Sequence, residues 1–173
     1  IAEPRSVQKN EKLVVMMVMD VSASVSHESK RETLEVLARI ASTKPASDEV
    51  GMVLAAREAA IEHAPSMAPP GEFATTATGV DSDGTNLAKA LRLASAMIPE
   101  STEGRIILAT DGAATEGSLP SVLDELRSRS IAVDVLPIHH METKNEVWVE
   151  RLELPRFVRT GDTYEAKVIY SAL

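Results

Sequence analysis

Residues able to do chemistry gather at three points of this chain. "DVSAS" places Asp20, Ser22 and Ser24 at alternate positions, directly after the apolar run "LVVMMVM" (13–19). "DSDGTNL" brings Thr85, and "ATDG" brings Asp111 behind a second apolar run, "RIILAT" (105–110). Two carboxylates and three hydroxyls make a set of hard oxygen donors. Such a set suits Mg²⁺ or Mn²⁺, with Ca²⁺ as a third option, and suits soft metals poorly. Each part also has a simpler use. Asp and Ser are favoured helix N-caps, Thr85 could cap a helix starting at Asn86, and Asp-Gly is an ordinary strand-end turn.

The elements that must position these groups alternate. The run at 13–19 is too short for a buried helix and reads as a strand covered on both faces. "SHESKRETLEVLARIASTKP" reads as a helix capped by Ser26, with Glu28 and Glu32 at the positive end of its dipole and Pro45 as the stop. Leu34, Leu37, Ala38 and Ala41 share its inner face. Residues 49–63, "EVGMVLAAREAAIEH", fit either a helix or a strand "VGMVL" with a following segment. The Pro-, Gly-, Ser- and Thr-rich stretch 64–84 reads as a long surface loop, a kind that is often functional. "TNLAKALRLASAMIP" predicts a helix burying Leu87, Leu91, Ala94 and Ile98 and ended by Pro99. "SLPSVLDELRSRS" predicts another, with Pro120 in its first turn and a Glu125–Arg129 pair at i,i+4. "IAVDVLPI" (131–138) reads as a third buried strand.

Alternating strands and helices with short connections predict a three-layer α/β/α sandwich around a mostly parallel sheet. In such sheets ligands bind beyond the carboxyl ends of the strands, which is where Asp20, Ser22, Ser24 and Asp111 fall. His139 and His140 follow the last of these strands and read as a hydrogen-bonded or solvent-facing pair. Asp81 and Asp83 solvate the loop before Thr85, with an outer role toward an ion as the alternative. Met16, Met17 and Met19 read as core filler.

Bulk composition narrows the function. Hydrophobic residues make up 44% and charged residues 25%, the balance of a soluble globular domain. Net charge is −8 with no basic run, which argues against nucleic acid and anionic membrane surfaces as partners. The absence of cysteine removes disulfides, zinc–thiolate sites and thiol nucleophiles. No apolar run approaches the ~18 residues of a membrane span. The chain opens at Ile1 and stops in the strand-like "KVIYSAL", and so reads as a piece of a longer protein.

Taken in order, "DVSAS", "GTNL" and "ATDG" resemble the von Willebrand factor type A (VWA) domain and its metal-ion-dependent adhesion site. The resemblance spans roughly residues 11–140. It implies a Rossmann-like VWA fold in which "VGMVL" is a strand and the next segment, near 57–63, an antiparallel edge strand. It also implies Ser22, Ser24 and Thr85 as direct ligands of the ion, with Asp20 and Asp111 acting mostly through waters. The implied function is adhesion-type protein–protein recognition, the ion taking a carboxylate from the partner.

An enzyme is the weaker expectation. An aspartate after a first strand is also found in haloacid dehalogenase-like phosphatases, but these need a second aspartate two residues on, and position 22 is Ser. No Ser-His-Asp order, Gly-rich phosphate loop or Walker lysine is present. A metal-independent VWA scaffold is the other alternative.

Beyond residue 141 the pattern changes to period two, "EVWVERLELP" and "TYEAKVIYSA". The expected organisation is a lead-in (1–10), a VWA domain (11–141), and a linker with the start of a truncated β-rich module (142–173). With the Pro155…Gly161 stretch this is similar to large membrane-anchored bacterial proteins in which a VWA domain precedes immunoglobulin-like and glutamine-amidotransferase-like parts. That likeness favours the extracytoplasmic side of the membrane.

Overall fold

The apolar run "LVVMMVMD" forms β1 (Leu13–Asp20) at the centre of a five-stranded sheet. This computed structural model describes residues 12–67, 79–138, 147–161 and 163–172. The chain divides into two compact units, one up to residue 139 and one from 140 onward.

In the first unit, α1 (His27–Ser42) follows β1, then β2 (Glu49–Ala55) and β3 (Ala59–Ser66). They are followed by α2 (Leu87–Ala96), β4 (Glu103–Thr110), α3 (Leu119–Ser128) and β5 (Ala132–Pro137). The sheet order is β3-β2-β1-β4-β5, all parallel except β3, which pairs antiparallel with β2 at one edge. The stretch 49–63 is therefore two strands and not a helix, and β3 extends through Ser66 into the segment expected to be loop. Pro65, which has no N–H to give a ladder, is tolerated because β3 is an edge.

Both faces of the central strand are covered. Val14, Met16 and Val18 pack with Leu87, Leu91 and Ala94 of α2 and Val122 and Leu126 of α3. Met17 and Met19 pack on the other face with Leu34, Leu37 and Ala41 of α1 and Met52 and Leu54 of β2. Each such side chain taken fully from water contributes about 1.5–3 kcal/mol. No Phe, Trp or Tyr occurs among the described residues of this unit, so methionine and branched aliphatics fill the core.

Three local expectations change. The cap of α2 is Asn86, whose Oδ1 accepts from Lys89 N–H, and not Thr85; the helix ends at Ala96, before Pro99. Glu125 pairs with Arg92 of α2 across the helix interface, while Arg129 donates to the carbonyls of Ser95 and Ile98. The i,i+4 pair gives way because both side chains reach partners that lock α2 to α3. Third, β5 is not a buried strand. It is the other sheet edge, and Val135 is 62% exposed. Ser26 does cap α1, accepting from Ser29 N–H.

The second unit holds an antiparallel pair, β6 (Val147–Glu153) and β7 (Lys167–Ala172). Its register, shifted between Val149 and Arg151, puts Val149, Leu152, Val168 and Tyr170 on one face, all exposed. Glu153 sits with Arg151 and Lys167 in ion pairs. Among the described residues no helix is long and apolar enough to cross a membrane. His139, His140 and the lead-in 1–10 lie outside the described residues.

Candidate functional site

The strand order itself marks a place. From β1 the chain moves outward to β2 and β3 on one side, then crosses over to β4 and β5 on the other. The order reverses between β1 and β4, and open α/β sheets bind ligands beyond the carboxyl ends of strands at such a point. Asp20 is the last residue of β1, and Asp111 follows the last residue of β4.

Asp20 is fully buried and its carboxylate is closely held. Oδ1 accepts from Ser22 N–H at 3.0 Å and from Ser22 Oγ at 2.6 Å. Oδ2 accepts from Thr110 Oγ1 at 2.9 Å, across the β1–β4 boundary. A buried carboxylate with fewer donors would cost several kcal/mol, so these bonds are what permit it there. Thr110 Oγ1 in turn accepts from Gly112 N–H at 3.1 Å. Ser22 is buried and Ser24 exposed, and their Oγ atoms stand 3.0 Å apart.

Thr85 reaches the same edge by a different route. The 81–86 segment is stitched to the strand ends through Ala23 N–H to Ser82 O, Arg57 N–H to Asp81 O, and Asn86 N–H to Ala56 O. Thr85, itself buried, is bound by its backbone to the loop after β4. Its N–H donates to Thr115 Oγ1 at 2.9 Å, and its carbonyl accepts from the N–H groups of Thr115 and Glu116. Asp111, half-buried, accepts at Oδ1 from Ala113 N–H at 2.8 Å. Hydrogen bonds thus join the three loops that carry Asp20, Ser22, Ser24, Thr85 and Asp111.

The chemistry of this donor set can be checked against a cation. Two adjacent oxygens of an octahedral Mg²⁺ shell, each about 2.0–2.1 Å from the ion, stand about 2.9 Å apart. The Ser22–Ser24 separation of 3.0 Å is of that size. Ser22 gives its proton to Asp20, which leaves its lone pairs for another contact. Among the described residues no three His, Cys, Asp or Glu side chains gather as a metal cluster. A cation held here would depend on the hydroxyls, and a hydroxyl-rich set fits a weakly held hard ion.

Several residues at this edge carry no motif signal. Thr110 lay inside "ATDG" but is distinguishable from a core threonine only once β4 is placed beside β1. Lys30 of α1 lies close enough to sense Asp20. Burial lowers its proton affinity, and the Asp20 carboxylate partly restores it. Arg57, in the β2–β3 turn, pairs with Asp81 at 3.0 Å and Glu116 at 3.2 Å. Asp81 therefore does more than solvate its loop.

A mostly parallel five-stranded sheet covered on both faces by helices, with its order reversing at β1 and β4, defines a three-layer α/β domain. The chain belongs to the von Willebrand factor type A domain family, whose sequence pattern matches residues 15–113. No curated protein matches the chain in sequence. Among solved structures it is similar to BatB, a conserved hypothetical protein of Bacteroides thetaiotaomicron, at 20% identity and a TM-score of 0.66 over 93% of this chain and 80% of that one. An aerotolerance-related membrane protein of Bacteroides fragilis aligns at 20% identity and a TM-score of 0.62, over 93% and 82%. Proximal thread matrix protein 1 of the mussel byssus shares 18% identity over 72% of this chain and 35% of its own, with a TM-score of 0.60. At these identities the likeness is one of fold.

Proposed function

We propose that the first unit is a divalent-cation-dependent protein-recognition domain that carries out no turnover. In this reading Ser22, Ser24 and Thr85 hold Mg²⁺ or Mn²⁺ directly, Ca²⁺ being the third candidate, and Asp20 and Asp111 act through water. When bound, the ion supplies an electrophilic position for a carboxylate from a partner protein. Thr110 and Ser22 fix the orientation of Asp20, and the loop after β4 fixes Thr85. Neutral hydroxyls leave most of the ion's charge uncancelled, which favours docking of an acid over tight retention of the metal.

The observation that carries this reading is the Thr110–Asp20–Ser22–Ser24 hydrogen-bond chain, which lines up carboxylate and hydroxyl oxygens at the switch point. Calorimetric titration with Mg²⁺ and Mn²⁺ tests it. Wild type should bind weakly and Ser22→Ala should lose most of the heat. Equal heats from both would remove the metal from this edge, and cation-dependent hydrolysis of generic phosphate or peptide substrates would favour an enzyme. The metal-independent scaffold draws support from the small number of carboxylates at the edge.

The second unit supports a larger setting. A two-stranded pair is marginal alone, and one with an apolar face needs a cover. Residues 142–173 are accordingly proposed to open an immunoglobulin-like module of a membrane-anchored bacterial protein, with 1–10 as lead-in and 11–141 as the VWA domain.

A further inference from the structure

The geometry points to Arg57 as a positioning residue for Thr85, and through it for the cation; this rests on the metal-site reading above. Arg57 sits in the β2–β3 turn, outside all three motifs. Its Nη1 donates to Asp81 Oδ2 at 3.0 Å, its Nε to Glu116 Oε1 at 3.2 Å, and its Nη2 to Asp83 O at 3.4 Å. One guanidinium thus ties the turn after β2 to both segments that embrace Thr85. Its own N–H also donates to Asp81 O, and the adjacent Ala56 carbonyl accepts from Asn86 N–H, directly after Thr85.

The clamp is close-fitting. A Cβ added at Gly84 would stand 3.1 Å from Arg57 Nε and 3.2 Å from Glu116 Oε1, so the chain next to Thr85 runs against the ion pair. Beyond it, Thr85 is held only through the 115–116 backbone and Thr115 Oγ1 among the contacts described above. Glu116 is where Arg57 grips that second support. The planar fork is what allows three acceptors on two segments to be met at once; a lysine ammonium of equal charge is a point donor on a flexible stem.

Charge and position predict opposite signs here. Removing a cationic group near a bound Mn²⁺ should, by Coulomb's law alone, tighten the ion. Losing the position of Thr85 should loosen it and let a water replace the threonine oxygen. Groups that orient direct ligands commonly change metal affinity by about 10–100-fold when removed. Because Thr85 is one neutral ligand of several, the low end, about tenfold, is expected for Arg57→Ala.

The test uses the full chain with Mn²⁺ as probe, read by affinity and by water-proton relaxation, which counts waters on the bound ion. Arg57→Ala should lower affinity about tenfold and add one bound water, as Thr85→Ala does. Arg57→Lys should resemble Arg57→Ala, and Arg57→Ala added to Thr85→Ala should change nothing further. Unchanged or tighter Mn²⁺ binding in Arg57→Ala, or losses that multiply in the double variant, would overturn the role. Amide exchange of Thr85, Thr115 and Glu116 in metal-free protein separates the clamp from the metal. If wild type binds no Mn²⁺ but exchange at these amides quickens in both Arg57 variants at unchanged melting temperature, the metal reading falls and the clamp stands. If exchange is unchanged, the clamp itself is refuted.

Discussion

Thr110→Val removes the hydroxyl that donates to Asp20 and accepts from Gly112 N–H at the base of the site. Valine keeps the β-branched shape and the strand preference of threonine and replaces the hydroxyl by a methyl. Thr110 is buried, and its Oγ1 gives the only contact described above to Asp20 Oδ2. A hydrogen bond to a charged group is worth about 1.5–3 kcal/mol, and the buried methyl returns about 0.8 kcal/mol. Gly112 is exposed, so its N–H turns to water. The net loss is about 1–2 kcal/mol, and at about 2–4 °C per kcal/mol for a chain of this size the melting temperature should fall by about 2–8 °C. Thr110→Ser is the partner variant. It keeps the hydroxyl and loses a methyl, so it should also cost about 1 kcal/mol. The two should separate in Mn²⁺ calorimetry: serine should bind like wild type, and valine, with Asp20 released from its second support, should bind more weakly. Melting in EDTA followed by titration reads both effects. A valine variant as stable as wild type, or a serine variant with the weaker metal binding, would refute the view that Thr110 acts on Asp20 through its hydroxyl.

The ligands themselves should divide by charge. Thr85→Ala removes one neutral oxygen and should reduce Mg²⁺ affinity modestly but partner binding strongly. Asp111→Ala removes a full charge, worth on the order of several kcal/mol beside a divalent ion at an effective dielectric of about 20, and should abolish metal binding first; calorimetry and a partner-binding assay together distinguish the two orders. The Asp81 carboxyl is held below its ordinary value of 3.8, first by the Asp83 N–H, with desolvation opposing and the Arg57 guanidinium adding. Its contribution to the 81–86 segment is therefore fully present above pH 3.8 and lost as pH falls through the lower folded-state value. Corrected exchange at the Asp83 amide should stay slow down to that pH and quicken below it, and Asp81→Asn should remove the transition. Gly117→Ala should cost about 1–3 kcal/mol by thermal melting, since Gly117 has φ of +85° and its Cβ would meet the α2-capping Asn86 Oδ1 at 2.5 Å.

What could be read from the chain follows from which forces are local. β1, β2 and β4 are short, apolar on both faces and end in Asp20, Ala55 and Thr110, so burial announces them. The antiparallel edge at β3 required the family resemblance, because "AREAAIEH" has helical texture and only its place beside β2 makes it a strand. β5 was misjudged as buried because Val133, Val135 and Leu136 look apolar, while exposure depends on there being no further strand beside it among the described residues. Glu125 and Arg129 show the same limit, since a local pair loses to partners 31 or more residues away. At the candidate site, the strand pattern placed Asp20, Ser22, Ser24 and Asp111 at strand ends, and the family resemblance added Thr85 ahead of α2. The supports remained invisible. Thr110 acts across 90 residues of sequence and Arg57 across 24 and 59.

The methionine-filled core gives this domain a chemical memory of its own opening. Met16, Met17, Met19 and Met52 are wholly shielded from solvent, whereas Met67 at the end of β3 is 56% exposed. Sulfoxide formation needs contact with the oxidant and turns an apolar side chain into a polar one that a packed core rejects. Peroxide therefore reaches Met67 in the folded protein and leaves the four inner sulfurs reduced. Once a molecule opens and is oxidised at β1, the central strand can no longer be buried as before. In a cysteine-free chain, oxidative damage to the core therefore scales with how often the sheet opens as well as with the oxidant around it, and an oxidised β1 stays out of the folded population until its sulfoxides are reduced.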